Sequence, residues 1–488
     1  MTDVADYVEC LKLTLRENPK LLKRKTVKSS TSGEQMSARG QHSVARTGFL
    51  GNVATVLGGQ AATVAVALLT EVCTARLVGP SARGQISLCM MAIACGTLIG
   101  GLGADIPIVI WTADRTKKVH GWLSAVLAWG SLGFAGAAGL WWMVFSRWHL
   151  ASLRGVTPAL AKIILLTIPF AILLSYITAL LIGTERFREL AGVSLLRSVT
   201  CFLAFLALTV GVGRNAEAFL WGNLAGILLG GAGAGFLLRK VISESLRVPS
   251  PSDDLLKGLA VGLRGQVGNV AAFFNYRLDV FIVNYFLNPA QVGLYAIGVV
   301  VSEALWQIPQ AVATTLFPRT ARTINEGASN FTCLIIRQVC MVSLISAAAI
   351  GAVSSWAVPL VFGTQYSSSV PVIWWLLPGT VAMSMAKVAA SDLAARSKTG
   401  YSSAFGLTAF VVTVILDLVL IPRMGIRGAA LASSIAYFVN GALLLIALKH
   451  ELKVRWLELL VPTVVELSAY KRAWTAVAMW SRAKRVGA

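Results

Sequence analysis

Residues 77–84 read Leu77-Val78-Gly79-Pro80-Ser81-Ala82-Arg83-Gly84, and residues 286–293 read Phe286-Leu287-Asn288-Pro289-Ala290-Gln291-Val292-Gly293. Each octet closes one long apolar segment and opens the next. A proline presets φ for the first turn of a helix and needs no N–H there. The two turns lie 209 residues apart, and at that offset Gln60 falls on Asn269. One Pro–x–x–x–Gly turn says little; two at matching places in consecutive halves point to duplication.

Outward from these turns the chain is a series of apolar segments. About 20 apolar residues suffice for a helix to cross a bilayer. Twelve segments meet that length: 49–76, 86–110, 121–145, 159–183, 190–212, 217–238, 265–287, 292–317, 333–361, 370–392, 402–421 and 428–448. Residues 456–480 hold Glu458, Glu466, Lys471 and Arg472 and are expected to lie along the interface as an amphipathic helix, with a thirteenth span as the alternative. Six spans per half start both halves on one side, so the repeat is parallel, with its axis along the membrane normal and a cavity between the halves. The expected fold is therefore an all-α integral membrane protein of about 12 transmembrane helices, in two pseudo-symmetric six-helix bundles around a central cavity. Its parts are a basic tail (1–47), a first bundle (48–238), a linker (239–264), a second bundle (265–448) and a basic amphipathic tail (449–488).

Composition agrees. Of 488 residues 56% are hydrophobic and 13% charged, with a mean hydropathy of +0.71. A soluble chain carries about 25% charge, so an ordinary soluble protein is excluded. The net charge of +21 comes without aromatic–basic interleaving on a polar face. Anionic membrane lipid is thus the expected partner rather than nucleic acid. With the tails, 31 Lys and Arg fall on one side and 8 on the other, which puts both termini in the cytoplasm. The seven cysteines and four histidines are scattered, supporting neither a metal site nor a disulfide framework. No phosphate-binding loop occurs, so an ATPase on this chain is excluded and no cofactor is expected. The outer loops are too short to hold an enzymatic domain.

Several stretches resemble the Wzx-type oligosaccharide flippases: Asn275-Tyr276-Arg277-Leu278-Asp279, then Pro289 to Tyr295, then Glu303-Ala304-Leu305-Trp306-Gln307-Ile308-Pro309-Gln310 and Leu316-Phe317-Pro318-Arg319. Ile421-Pro422-Arg423-Met424-Gly425-Ile426-Arg427-Gly428 is similar to that family's last hairpin. The motifs run in the family's order over residues 49–448. The resemblance implies a secondary transporter of the superfamily that includes multidrug exporters and lipid II flippases. Its substrate would be an undecaprenyl-pyrophosphate-linked oligosaccharide, flipped across the bacterial inner membrane for exopolysaccharide, capsule or O-antigen synthesis. H+ or Na+ would drive it, and polymerase and export proteins of the same pathway would be further partners. Asp417 departs from the family pattern, which more often has Asn there.

Ionisable residues within spans are costly and usually face a cavity or a partner. Gln60, Thr63, Thr70, Glu71 and Thr74 share one side of span one, as a hydrogen-bonded seam or as a lumen wall. Arg277 and Asp279 lie near the middle of span seven, as a structural pair with a neighbouring helix or as an anion site. Given the resemblance, a guanidinium suits the substrate's pyrophosphate. Glu303, Gln307, Gln310 and Thr314 form a stripe on span eight beside Trp306, and Pro309 is expected to bend that helix. Lys387, Asp392 and Asp417 are further candidates. The expected substrate contacts are Arg277, Lys387, Asn269, Gln307, Gln310 and Gln60; the expected ion-coupling carboxylates are Asp279, Glu303, Glu71 and Asp417. Three competing functions remain: a MATE-like multidrug or cation antiporter, a lipid II flippase, and a membrane glycosyltransferase or polymerase. Arg277 and Lys387 oppose the first, twelve spans rather than fourteen the second, and the absence of outer domains the third.

Overall fold

The computed structural model describes residues 35–113, 122–143, 153–211, 213–246, 252–322 and 327–461. Every regular element among them is helical. Helix α1 (Gln35–Gly100) is two helices joined at Gly79, whose φ of 77° is left-handed. Glu71 and Arg83 form an ion pair across this joint. Unbroken helix would hold residues twelve apart about 18 Å from each other, so the chain turns sharply at Gly79. The N-terminal half continues with α2 (Asp105–Ala113), α3 (Trp122–Met143), α4 (Pro158–Gly183), α5 (Phe187–Gly211) and α6 (Ala216–Leu246). The C-terminal half holds α7 (Ser252–Phe286), α8 (Pro289–Glu303), α9 (Gln307–Arg322), α10 (Gly327–Phe362), α11 (Val370–Ala395), α12 (Gly400–Met424), α13 (Ile426–Leu452) and the short α14 (Trp456–Leu460).

Among the described residues, nine helices are long and apolar enough to cross a membrane. Large apolar side chains such as Leu132, Leu203, Phe236, Trp356, Ile415 and Phe438 stay exposed on the helix surfaces. Lipid, not water, is the solvent that tolerates such a surface. The chain is a multi-pass, all-helical membrane protein.

The helix ends follow local chemistry. Thr157 accepts from the Leu160 N–H at 3.3 Å, with Pro158 in the first turn. Asn288 accepts from the Gln291 N–H at 3.0 Å, with Pro289 in the same place. These are N-caps followed by a proline that needs no donor.

Several expected boundaries are corrected. The span expected at 86–110 breaks at residues 101–104, where Leu102 and Gly103 take positive φ. The run Gly100-Gly101-Leu102-Gly103 has too few side chains to favour continuous helix. The span expected at 292–317 is interrupted by a three-residue 3₁₀ turn, Ala304–Trp306. Pro309 explains the position: it cannot donate to the Leu305 carbonyl, and its ring crowds that group. The expected linker 239–264 is mostly helical, since α6 runs to Leu246 and α7 starts at Ser252; residues 247–251 lie outside the described residues. Ser252-Asp253-Asp254 is chemistry suited to a helix start. Helix α1 begins at Gln35, inside the expected tail 1–47, whose residues 1–34 lie outside the described residues. The interfacial helix expected over 456–480 is seen only as Trp456–Leu460; residues 462–488 lie outside the described residues.

Apolar packing forms two cores. One runs from Ile86 to Leu238. The other runs from Val280 to Leu459 and takes in Ala75 and Leu88. Inside the first, α5 and α6 approach closely because Gly222 and Gly226 face the backbone of Cys201, Phe205 and Arg197.

Candidate functional site

The halves touch at two levels. At the Gly79 level the repeated turns meet reciprocally. A Cβ on Gly84 would sit 1.6 Å from the Pro289 oxygen, and one on Gly293 would sit 2.1 Å from the Pro80 oxygen. Pro80 thus meets Gly293 as Pro289 meets Gly84, the pattern of a two-fold contact. Only glycine permits backbones so close. Asn284 donates to the Arg154 carbonyl at 3.0 Å at the same level. Arg76 donates to the Val361 carbonyl at 2.7 Å there, near the end of α10.

The second level is the break after Gly100. A Cβ on Gly103 would meet the Gly262 oxygen at 2.2 Å. The break interrupts the helix ladder, and buried carbonyls there need donors. Gln266 of the other half donates to the Leu98 carbonyl, and Tyr176 donates to the Gly101 carbonyl at 2.9 Å. Asn269 donates to Gln266 Oε1 at 3.2 Å, so it supports this cap.

Along α7 the two closures, at Gln266 and Asn284, are separated by about 27 Å, close to the thickness of a bilayer core. Arg277 lies between them. Its Nη1 and Nη2 donate to Glu303 Oε1 and Oε2 at 3.1 and 3.0 Å. The side chains keep 32% and 18% of their surface accessible. Glu303, not the nearby Asp279, is therefore the partner of Arg277. Next to the pair, Tyr276, Trp306 and Tyr437 form an aromatic triangle with ring centroids 6.0, 6.3 and 5.4 Å apart. Lys387 stands 5.0 Å over the Trp306 ring and donates to Gln310 Oε1 at 3.1 Å. Gln307 is exposed in the first turn of α9.

Asp279 faces a different set of partners. It accepts from Tyr295 Oη at 2.5 Å and from its neighbour Val280 N–H at 2.7 Å, with Ser433 Oγ at 3.5 Å. Asp417 is wholly buried, lies within electrostatic reach of Asp279, and, among the described residues, has no hydrogen bond to either carboxylate oxygen.

The expected residues are thus distributed unevenly. Arg277, Glu303, Lys387 and Gln310 come together, and Asp279 with Asp417 forms a second group. Glu71 is held by Arg83 at the Gly79 turn. The side chain of Gln60 lies outside the described residues. The hydroxyls of Thr63 and Thr70 bond back to their own helix, at 2.9 and 2.7 Å. Asp392 ties three helices, accepting from Thr320 and Thr332 at 3.2 and 2.7 Å and pairing with Arg396 at 2.6 Å. Sequence reasoning missed Tyr295, Ser433 and Tyr437. Tyr295 stood inside a quoted motif, and a hydroxyl 16 residues beyond an intramembrane carboxylate was the available signal; Ser433 and Tyr437 had none.

The fold is shared with solved transporters. An inward-facing multidrug resistance MATE family transporter of the MOP superfamily superposes with a TM-score of 0.65 at 12% identity, over 80% of this chain and 94% of that one. The lipid II flippase MurJ, in an inward closed conformation, gives 0.68 at 14%, over 81% and 87%. A MOP superfamily transporter from Pyrococcus furiosus gives 0.56 at 13%, over 82% and 94%. The architecture is therefore that of the MOP transporters. Residues 73–371 match the family described as Polysaccharide biosynthesis protein, and the chain belongs to it, a transporter family and not an enzyme class. The "Probable low-salt glycan biosynthesis flippase Agl15" of Haloferax volcanii is 27% identical over 265 residues, 54% of this chain. The match covers 55% of that protein, so the chain spans about half the length of this curated relative.

Proposed function

We propose that the chain flips an undecaprenyl-pyrophosphate-linked oligosaccharide across the bacterial inner membrane, for exopolysaccharide, capsule or O-antigen synthesis. Twelve spans in two six-helix bundles, 48–238 and 265–448, enclose the path, and both termini are cytoplasmic. The single observation that carries this reading is an accessible arginine fork, Arg277, held between two closures of the halves. An isolated arginine at mid-membrane costs at least ~2.5 kcal/mol, so a cation kept there has an anionic ligand or partner. The headgroup sits between the halves, with Arg277 and Lys387 on phosphate and Gln310 and the aromatic triangle on sugar, while the polyprenyl tail stays in lipid. Two cations disfavour a drug cation as cargo. Family membership and the flippase relative support the same class of substrate.

In alternating access one of the two levels parts while the other holds. H+ or Na+ entering the Asp279–Asp417 pocket is the coupling step. Two buried carboxylates within electrostatic reach favour a bound cation or proton. The test is deletion of the gene with analysis of lipid-linked intermediates. Accumulation of a completed, cytoplasm-facing oligosaccharide-lipid is expected; unchanged lipid-linked pools overturn the proposal.

A further inference from the structure

Arg277 and Glu303 make two parallel hydrogen bonds, at 3.1 and 3.0 Å, that use both carboxylate oxygens. A phosphate offers the same spacing of oxygens to the same two N–H groups. The carboxylate and a phosphate are therefore alternative occupants of one fork. The pair is also accessible, at 32% and 18%, where Asp279 at 5% and Asp417 at 0% are sealed.

Glu303 has a second property. It is the last residue of α8, immediately before the 3₁₀ turn Ala304–Trp306. Short 3₁₀ stretches inside a span mark places where a helix can change direction. While Glu303 is held by Arg277, this junction is tied to α7. Once Glu303 is released, the tie is gone.

We propose that Glu303 is a built-in competitor for the Arg277 fork, displaced by a diphosphate ligand on loading and expelling that ligand when it returns. The ligand class is a phosphate diester or diphosphate headgroup on a lipid. This rests on the reading of Arg277 as the anion contact and adds to it the means of release. A cation in a low-dielectric cavity would otherwise hold a diphosphate tightly, and turnover needs binding that is reversible.

The test measures equilibrium binding of inorganic pyrophosphate to the purified full chain in nanodiscs, and takes only the share lost in Arg277→Ala. Glu303→Gln removes the competitor's charge and keeps its shape. It is expected to bind pyrophosphate about tenfold more tightly, with a melting temperature that is lowered without ligand and recovers when pyrophosphate is added. Glu303→Asp keeps the charge but shortens the reach, and is expected to fall between; it also serves if the amide variant does not fold. In proteoliposomes carrying the native lipid-linked oligosaccharide, Glu303→Gln is expected to flip more slowly than wild type although it binds more tightly. Equal or weaker pyrophosphate binding by both variants, with Arg277-dependent binding intact in wild type, overturns the competition alone. No Arg277-dependent binding in any of the proteins overturns the anion site as well.

Discussion

Arg277 and Asp417 solve the problem of a charge in lipid in opposite ways. Arg277 has a partner that uses two of its donors, so its cost is offset locally. Removing Arg277 alone leaves Glu303 unpaired; removing both leaves neither. If the pair only stabilised the fold, Arg277→Ala with Glu303→Ala would recover export. The expected outcome is that Arg277→Ala abolishes polysaccharide export at near-normal protein level, Arg277→Lys keeps part of it, and the double variant stays inactive. Export assays with immunoblots check this. Asp417 is buried, and among the described residues neither of its oxygens is hydrogen-bonded. Leaving a buried polar group unsatisfied costs about 1–3 kcal/mol, more when it is charged. Asp417→Asn keeps a polar group there but removes the buried charge, and is expected to raise thermal stability and to abolish the dependence of transport on an H+ or Na+ gradient. Proteoliposome flux with and without each gradient, beside a melting curve, decides it; a stabilised variant that keeps its ion dependence removes Asp417 from the coupling pocket.

At the scale of elements, the breaks matter more than the helices. The Gly79 joint and the break at residues 101–104 place glycines where the two halves meet. Gly84→Ala would put a Cβ 1.6 Å from the Pro289 oxygen, a backbone atom that cannot swing away. The contact at that level then cannot close, and export is expected to fall at least about tenfold, in line with the strain of overpacking. Ala75 is buried at this level. An Ala75→Cys probe, in a chain whose native cysteines are replaced by serine, is expected to react with a maleimide in the Gly84→Ala background and to stay silent without it. Gly103→Ala carries two penalties, a φ of 68° and the Gly262 oxygen at 2.2 Å, and is expected to open the other level while leaving the Ala75→Cys probe silent. Gln266→Ala leaves the Leu98 carbonyl without its donor and is expected to lower stability by about 1–3 kcal/mol, read as a lower melting temperature.

At the scale of the molecule, the proposed topology makes a simple forecast. Reporter fusions after Ala290 are expected in the periplasm and fusions after Ser252 in the cytoplasm. Reversal of the two signals would turn the whole bundle over and exchange the two closures. The two apolar cores also predict two mechanical units, since packed cores move as bodies and the glycine contacts between them are narrow.

Most of the fold was legible in sequence because its causes are local. Apolar length sets a span, a proline after an Asn or Gly sets a helix start, and the Pro80–Gly84 and Pro289–Gly293 turns carried the duplication. The breaks at residues 101–104 and 304–306 were only half legible: the glycines and Pro309 were visible, but whether a helix yields depends on donors such as Gln266 that lie far off in the chain. The site divides the same way. That Glu303 and Asp417 stand inside helices long and apolar enough to span follows from sequence, because hydropathy fixes depth; α7, which carries Arg277 and Asp279, is too polar to be among those helices. Which carboxylate takes Arg277, that Glu71 belongs to Arg83 instead of the site, and that Asp279 faces Tyr295 and Ser433 were decided by tertiary structure. Pairing in a low-dielectric interior is settled by distances of a few ångströms between helices, and sequence spacing carries no information about those distances.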